Sequence, residues 1–226
     1  MKVRKGVVKG IAGVVVLIAA AIAVPILARR LAFFRIRQVE VVGNRYLDES
    51  DVVRRLGLRH GASTFDRLEP VRRAAAAIPG VLMASVKRRL PGTLTITLRE
   101  ATPVALVSLG DRLALVDFRG RVLPFDPARA PASLPIAGRD SVCASLLGRL
   151  MLTDPDWYDS VESARLDRGD VILDAGTHRI RLRPEADDDA LRGVIAVRNY
   201  LRQRGIAWRE IDARYHNRLF VRKAPT

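Results

Sequence analysis

The sequence predicts an α+β protein in three successive parts: an N-terminal transmembrane helix, a small β-α-α-β-β module, and a mixed, mainly antiparallel β domain with two helices. Three observations predict it. Residues 10–28 carry no charge, whereas the remainder mixes polar and apolar residues. From Val39 to Glu100 the apolar period is 2 in one stretch, about 3.6 in two, and 2 again in two more. Beyond residue 100 short alternating runs dominate, and two longer helical faces interrupt them. The 226 residues suffice for two modest domains, each with its own core.

The first element is the run "GIAGVVVLIAAAIAVPILA", Gly10 to Ala28. As a helix it spans about 28 Å at ~1.5 Å per residue, close to the ~30 Å hydrocarbon core of a bilayer. Pro25 lies near its end, where freed backbone groups are satisfied locally. A cleaved signal peptide fits less well, because its apolar region is usually ~7–15 residues and its small residues follow that region rather than lie inside it. Lys2, Arg4, Lys5 and Lys9 precede the run and Arg29, Arg30, Arg35 and Arg37 follow it, so flanking charge does not set orientation. A long downstream region translocates largely regardless of that charge, which places the N-terminus inside and the folded part outside.

The module opens with a strand around Val39 and Val41, closed by Gly43-Asn44. Asp48 is positioned as the N-cap of a helix, with Asp51 three residues on and Leu47 and Val52 as a hydrophobic staple. Val52, Val53 and Leu56 form its apolar face, and Gly57 stops it. A second helix is expected from about Asp66 to Ile78, with an alanine run that favours helix and Pro79-Gly80 to end it. Two strands follow, about Met83 to Arg89 and Leu94 to Glu100, joined at Pro91-Gly92. Leu94, Ile96 and Leu98 alternate with Thr95, Thr97 and Arg99, so one sheet face is apolar and one is wet.

In the second half, strands are expected at Val104 to Ser108, Leu113 to Asp117, Arg121 to Pro124, Val161 to Leu166, Asp170 to Asp174 and His178 to Leu182. One helix, about Ser141 to Leu152, aligns Val142, Leu146, Leu147 and Leu150. The other, about Asp189 to Arg204, aligns Leu191, Val194, Ile195 and Leu201, with aspartates at its N-terminus and Gly205 after it. A final strand, about Glu210 to Val221, carries an interruption near Tyr215.

Residues 1–100 hold 19 Lys and Arg against 7 Asp and Glu, and residues 101–226 hold 20 against 17, so the net charge of +15 resides mostly in the first part. That asymmetry points to an anionic neighbour. Nucleic acid is a poor fit: aromatics are 5%, few lie near the basic pairs to stack bases, and the folded part is outside the membrane. Anionic lipid or wall polymer fits the basic, membrane-proximal module. No phosphate-binding glycine loop, HExxH, paired-cysteine set or serine elbow occurs. His60, His178 and His216 read as exposed loop residues without roles, and the single Cys143 as a small apolar residue buried on a helix. No catalytic residue, cofactor or metal is expected.

The order of elements, opened by "VEVVGNRYL" and closed by "IPGVLMASVKRRLPGTLTITLREATPVALV", resembles the POTRA module of the FtsQ/DivIB family of bacterial cell-division proteins. Further matches run through "LALVDFRGRVLPFD", the "LPIAG" at Leu134 to Gly138, and "REIDARYHNRLFVRK". At "RIRLRPEADDDALRG" the chain departs from the family, which often places a glycine and a basic residue there. The resemblance implies a cytoplasmic tail at 1–9, an anchor at 10–30, a POTRA module at 31–102, an FtsQ-type β domain at 103–222 and a tail at 223–226. It further implies a non-enzymatic divisome scaffold, single-pass in the cell inner membrane at the septum, that binds an FtsB- and FtsL-like pair by strand addition at its C-terminal β edge. Tyr215, His216, Asn217, Arg218, Leu219 and Phe220 match the family's partner-contacting stretch. Leu219 and the nearby Val221 are also expected to pack in the core. An outer-membrane assembly factor would need a β-barrel after its modules, too large for the remaining residues. The alternative is an anchored POTRA-bearing protein of another envelope assembly or transport system.

Protease added outside spheroplasts is predicted to digest the chain beyond about Arg30 while an N-terminal tag stays protected. A mature chain starting near Ala23 would instead establish a signal peptide.

Overall fold

The computed structural model describes residues 14, 15, 17–19, 21, 32–216 and 218–224. The uncharged run therefore lies largely outside the described residues; among those described, no helix is long and apolar enough to cross a membrane. The chain divides into two compact units, one up to Glu100 and one from Ala101.

The first unit has the expected β-α-α-β-β order: β1 (Gln38–Val42), α1 (Glu49–Arg55), α2 (Glu69–Ala76), β2 (Val81–Arg89) and β3 (Thr93–Glu100). β3 is central, parallel to β1 with Val39 opposite Leu94, and antiparallel to β2 with Val86 opposite Ile96. Its Leu94, Ile96 and Leu98 pack under Val52 and Leu56 of α1 and under Ala75 and Ile78, all buried. Each large aliphatic group so covered contributes about 1.5–3 kcal/mol.

Local chemistry sets the helix starts. Asp48 caps α1, its carboxylate accepting from the Ser50 amide at 2.9 Å and the Ser50 hydroxyl at 2.6 Å. Asp51 does not reach back to that cap; it pairs with Arg54 at 2.5 Å. α2 starts three residues later than expected, because Asp66 closes a turn by accepting from the Ser63 amide at 2.9 Å. Pro70 then sits in the first helical turn, where its missing N–H costs nothing.

The β1–α1 loop is held from the far end of the module. The Glu100 carboxylate accepts from three successive amides, those of Arg45 (2.9 Å), Tyr46 (2.8 Å) and Leu47 (2.9 Å). Gly43 makes this approach possible: its φ is +84°, and a Cβ there would sit 2.2 Å from the Leu98 carbonyl oxygen.

The second unit contains one mixed sheet. Its strands are β4 (Ala105–Leu109), β5 (Arg112–Val116), β6 (Val122–Leu123), β7 (Ile136–Ala137), β8 (Ser163–Asp167), β9 (Asp170–Ala175), β10 (His178–Leu182), β11 (Trp208–Tyr215) and β12 (Arg218–Lys223). Their order is β12-β11-β10-β9-β8-β7-β4-β5-β6. Its α-helices among the described residues are α3 (Ser141–Thr153), α4 (Pro155–Ser160) and α5 (Asp188–Gln203). α3 buries Cys143, Leu146, Leu147 and Leu150, and α5 buries Leu191, Val194 and Leu201, close to the faces read from the sequence.

Two elements are new. β7 has only two residues, too short for a periodic signal. α4 is six residues long and is capped by Asp154, which accepts from the Trp157 amide at 3.0 Å. Its Trp157 and Tyr158 are buried, and the Tyr158 hydroxyl donates to the Val104 carbonyl at 2.9 Å. The expected last strand is in fact two, β11 and β12, folded into an antiparallel hairpin.

The Glu100 bonds and the Gly43 approach yield a stability prediction for the first unit. Glu100→Ala should lower its stability by about 2–3 kcal/mol, the scale of lost hydrogen bonds to a charged acceptor. Gly43→Ala should cost at least as much through backbone strain and overlap. Denaturant unfolding of the full chain checks both, and unchanged midpoints would refute the clamp.

Candidate functional site

The site read from the sequence lies on the β11–β12 hairpin. β11 reaches that position through a parallel pairing with β10, with Ile180 opposite Ile211 and Arg181 opposite Asp212. A parallel neighbour needs a crossover, and α5 supplies it. The aspartates of the divergent "RPEADDD" segment start that helix: Asp187 caps it by accepting from the Ala190 amide at 2.8 Å. Arg149 secures the segment from α3, donating to the Ala186 carbonyl and standing 3.2 Å from Asp188.

The hairpin leaves β12 at the end of the sheet, with no further strand beside it among the described residues. The Ala224 amide donates to the Ala207 carbonyl at 3.3 Å. Both register shifts add their extra residue to β11, so β12 alternates regularly. The inward direction therefore passes from Ala224 to Arg222, Phe220 and Arg218. The N–H and C=O groups of Leu219, Val221 and Lys223 point outward, along the open edge.

Side chains divide as follows. Tyr215 ends β11, and its ring meets Phe220 edge-on with centroids 5.1 Å apart; the two are 49% and 53% exposed. His216 lies in the turn, Asn217 lies outside the described residues, and Arg218 is exposed at the start of β12. Leu219 is half-buried against α5, its Cδ1 3.4 Å from where a Cβ on Gly193 would stand. Val221 does not pack in the core as expected; it is 37% exposed. Within the same strand Leu219 reaches α5, whereas Val221, with a neighbouring strand on one side only, stays partly in water.

Arg214, which sequence reasoning passed over, organises the turn end of the hairpin. Its guanidinium donates to both Asp212 carboxylate oxygens (2.8 and 2.6 Å) and to Asp170 of β9 (2.8 Å). So held, it lies 5.8 Å from the Tyr215 ring centroid. Hydrogen bonding from Arg214 holds the Asp212 carboxyl below its ordinary range. Between this hairpin and the start of α5 runs a cleft of about 430 Å³, lined by Asp187, Asp189, Arg214, Tyr215, Arg218 and Leu219 among others. Charges of both signs and two exposed rings suit a protein segment better than a small substrate.

Elsewhere the residue chemistry is structural. Cys143 is fully buried, and burial pushes its thiol up to about 11. His178 is not the exposed loop residue expected; it is half-buried with its ring 4.2 Å from that of Trp208. Among the described residues, no group of three or more His, Cys, Asp or Glu could hold a metal ion.

Comparison with known proteins agrees with this architecture. Residues 34–101 match the POTRA domain of FtsQ type. The chain is 25% identical over 195 residues to the cell division protein FtsQ of Rickettsia bellii, covering 84% of this chain and 73% of that protein. It is 32% identical over 117 residues to the FtsQ of Rhizobium meliloti, covering 50% and 38%. With the FtsQ of Novosphingobium aromaticivorans the identity is 36% over 90 residues, covering 39% and 28%. The module and the β unit after it thus define a POTRA-bearing cell-division protein. Its POTRA module is of FtsQ type, and the chain is similar to FtsQ cell-division proteins over most of its length.

The Asp212–Arg214 pairing makes the hairpin's stability acid-sensitive. A carboxyl lowered on folding adds stability above its unfolded value of ~3.9, and that stability is lost as pH falls through the folded value. Asp174 is lowered as well: burial opposes its ionisation, but bonds from Arg179 and Arg165 prevail. Thermal unfolding between about pH 6 and 2 should show Asp212→Asn less stable than wild type at the upper end and the two converging at the lower. A constant gap would refute the pairing.

Proposed function

We propose that the chain is a non-enzymatic divisome scaffold that binds an FtsB- and FtsL-like pair by strand addition to β12. The observation that carries this reading is the open outer edge of β12 beside the exposed Tyr215–Phe220 pair. An incoming strand pairs with the outward N–H and C=O groups of Leu219, Val221 and Lys223, and side chains set specificity. Tyr215 and Phe220 are the apolar anchors of this contact. His216, Asn217 and Arg218 meet the partner at the turn, and the mixed-charge cleft beside α5 receives the partner's flanking segment.

The remaining organisation belongs to the same reading. Residues 1–9 are a cytoplasmic tail and 10–30 an anchor crossing the inner membrane once; 31–102 form the POTRA module, 103–222 the FtsQ-type domain, and 223–226 a tail. The folded units stand outside the cytoplasm at the septum, where the scaffold links division components without chemistry of its own. The similarity to FtsQ proteins and the match of residues 34–101 support this assignment.

Proline separates edge pairing from side-chain contact, because it removes one backbone donor and holds φ near −65°. Val221 has an outward N–H and an exposed side chain, so Val221→Pro should keep the thermal midpoint and lose co-purification of the pair from membranes. Phe220→Pro strikes the internal ladder and should lower the midpoint by several degrees. Tyr215→Ala should weaken binding about 30-fold or more, the scale of an interface anchor. Retention of the pair by a folded Val221→Pro variant would refute strand addition.

A further inference from the structure

The end of the POTRA module that receives the chain from the uncharged run is a rigid surface with no part in the edge site. Residues 33–37, the loop at 59–66 and the turn at 90–92 are bonded to one another there. The Arg37 and Gln38 amides donate to the Gly92 carbonyl at 2.8 and 3.2 Å, Ile36 to Ala62 at 2.8 Å, and Thr64 to Phe34 at 2.9 Å. Thr64 is fully buried, with its hydroxyl 3.1 Å from the carbonyl oxygens of both Phe34 and Pro91. Arg88 donates to the Thr64 carbonyl at 2.6 Å. Gly92 is packed so closely that a Cβ would lie 2.7 Å from the Arg35 carbonyl oxygen.

This frame presents two kinds of side chain together. Phe33 and Leu90 are 61% and 56% exposed, large apolar groups in water. Phe33 is supported edge-on by Phe34 at 5.1 Å, and Phe34 by Phe65 at 4.9 Å. Beside them Arg35, Arg37, Arg59 and His60 line an open cleft of about 400 Å³. Many of the chain's arginines have a carboxylate partner; among the described residues, Arg35, Arg37 and Arg59 have none. Exposed apolar side chains on the same frame as arginines without acidic partners are what an anionic membrane interface accepts.

We infer that this end of the module rests on anionic phospholipid, with Arg35, Arg37 and Arg59 on the headgroup phosphates and Phe33 and Leu90 reaching the interfacial layer. The inference depends on the anchor in the functional reading, and chain length then restricts the occupant. Five residue steps lead from Ala28, the last of the uncharged run, to Phe33. Fully extended they reach at most about 18 Å, of which the headgroup layer itself takes roughly 5–8 Å. The module end cannot leave the lipid surface by more than about a nanometre, a distance comparable to the Debye length of ~8 Å over which such attraction acts.

The test uses the full chain reconstituted into bilayers of phosphatidylcholine with or without phosphatidylglycerol. A single environment-sensitive label is placed at Leu90→Cys or at Met83→Cys, and quenching by lipid-borne spin labels is read. Cys143 is fully buried and stays in place. Met83 is 63% exposed and lies seven residues back along the same side of the turn, about 23 Å away at ~3.3 Å per residue. The Leu90 label should be quenched severalfold more than the Met83 label in bilayers with phosphatidylglycerol. The excess should vanish in phosphatidylcholine alone and in Arg35→Glu/Arg59→Glu, whose thermal midpoint should match wild type. Equal quenching at the two positions, or quenching at Leu90 indifferent to lipid charge and to the double substitution, overturns the inference. A high-salt, alkaline wash separates it from the anchor: release of the chain removes both, whereas retention with an unquenched Leu90 label removes only the lipid-facing surface.

Discussion

The parallel pairing of β10 with β11 is the constraint on which the second unit depends. An antiparallel neighbour would have allowed a short turn after Leu182; a parallel one requires the chain to return across the sheet. α5 makes that return, burying Leu191, Val194 and Leu201 as it goes. Because β11 then lies at the sheet margin, the next strand can add only outside it. β12 therefore ends the sheet, and its position follows from topology rather than from any property of its own residues.

Ionic contacts do different work in the two units. In the first, Glu100 gathers the amides of Arg45, Tyr46 and Leu47 and so closes the module across more than fifty residues of chain. In the second, Arg214 joins Asp212 of its own strand to Asp170 of β9. A planar guanidinium can satisfy two carboxylates at once, which a lysine ammonium does less well. Both contacts are made between groups partly withdrawn from water, where they bias local geometry more than an exposed pair would. Tyr215 is thereby set on a rigid base although its ring is half in solvent.

The basic character of the chain also divides by use. Arg54, Arg72, Arg89 and Arg121 have acidic partners, and Arg88 and Arg149 serve backbone carbonyls. Arg35, Arg37 and Arg59 are exposed and have no acidic partner among the described residues. Net charge alone could not distinguish these groups. Their separation requires knowing which carboxylates lie within a few ångströms, and one of those acids, Glu40 beside Arg89, is 49 residues away in sequence.

The sequence by itself determined what depends on near neighbours. The Asp48 cap, the glycine stop at Gly57, the alternation of Leu94, Ile96 and Leu98, and the apolar faces of α3 and α5 are all written within a few residues, because helices and strands have short periods. A change in composition near Glu100 to Pro103 was visible as well. Tertiary structure decided the rest. The stretch from Trp208 to Lys223 has strand-forming residues throughout, and only the pairing of Tyr215 with Arg218 shows that it turns back on itself; the polar "YHNR" was the one local hint. Val221 looked like core because valine usually is, yet an edge strand is covered on one side. Asp66 was a plausible helix start until Ser63 claimed its carboxylate. Glu100 carried no signal at all, since a carboxylate that binds three amides more than fifty residues away has nothing near it in sequence to announce them.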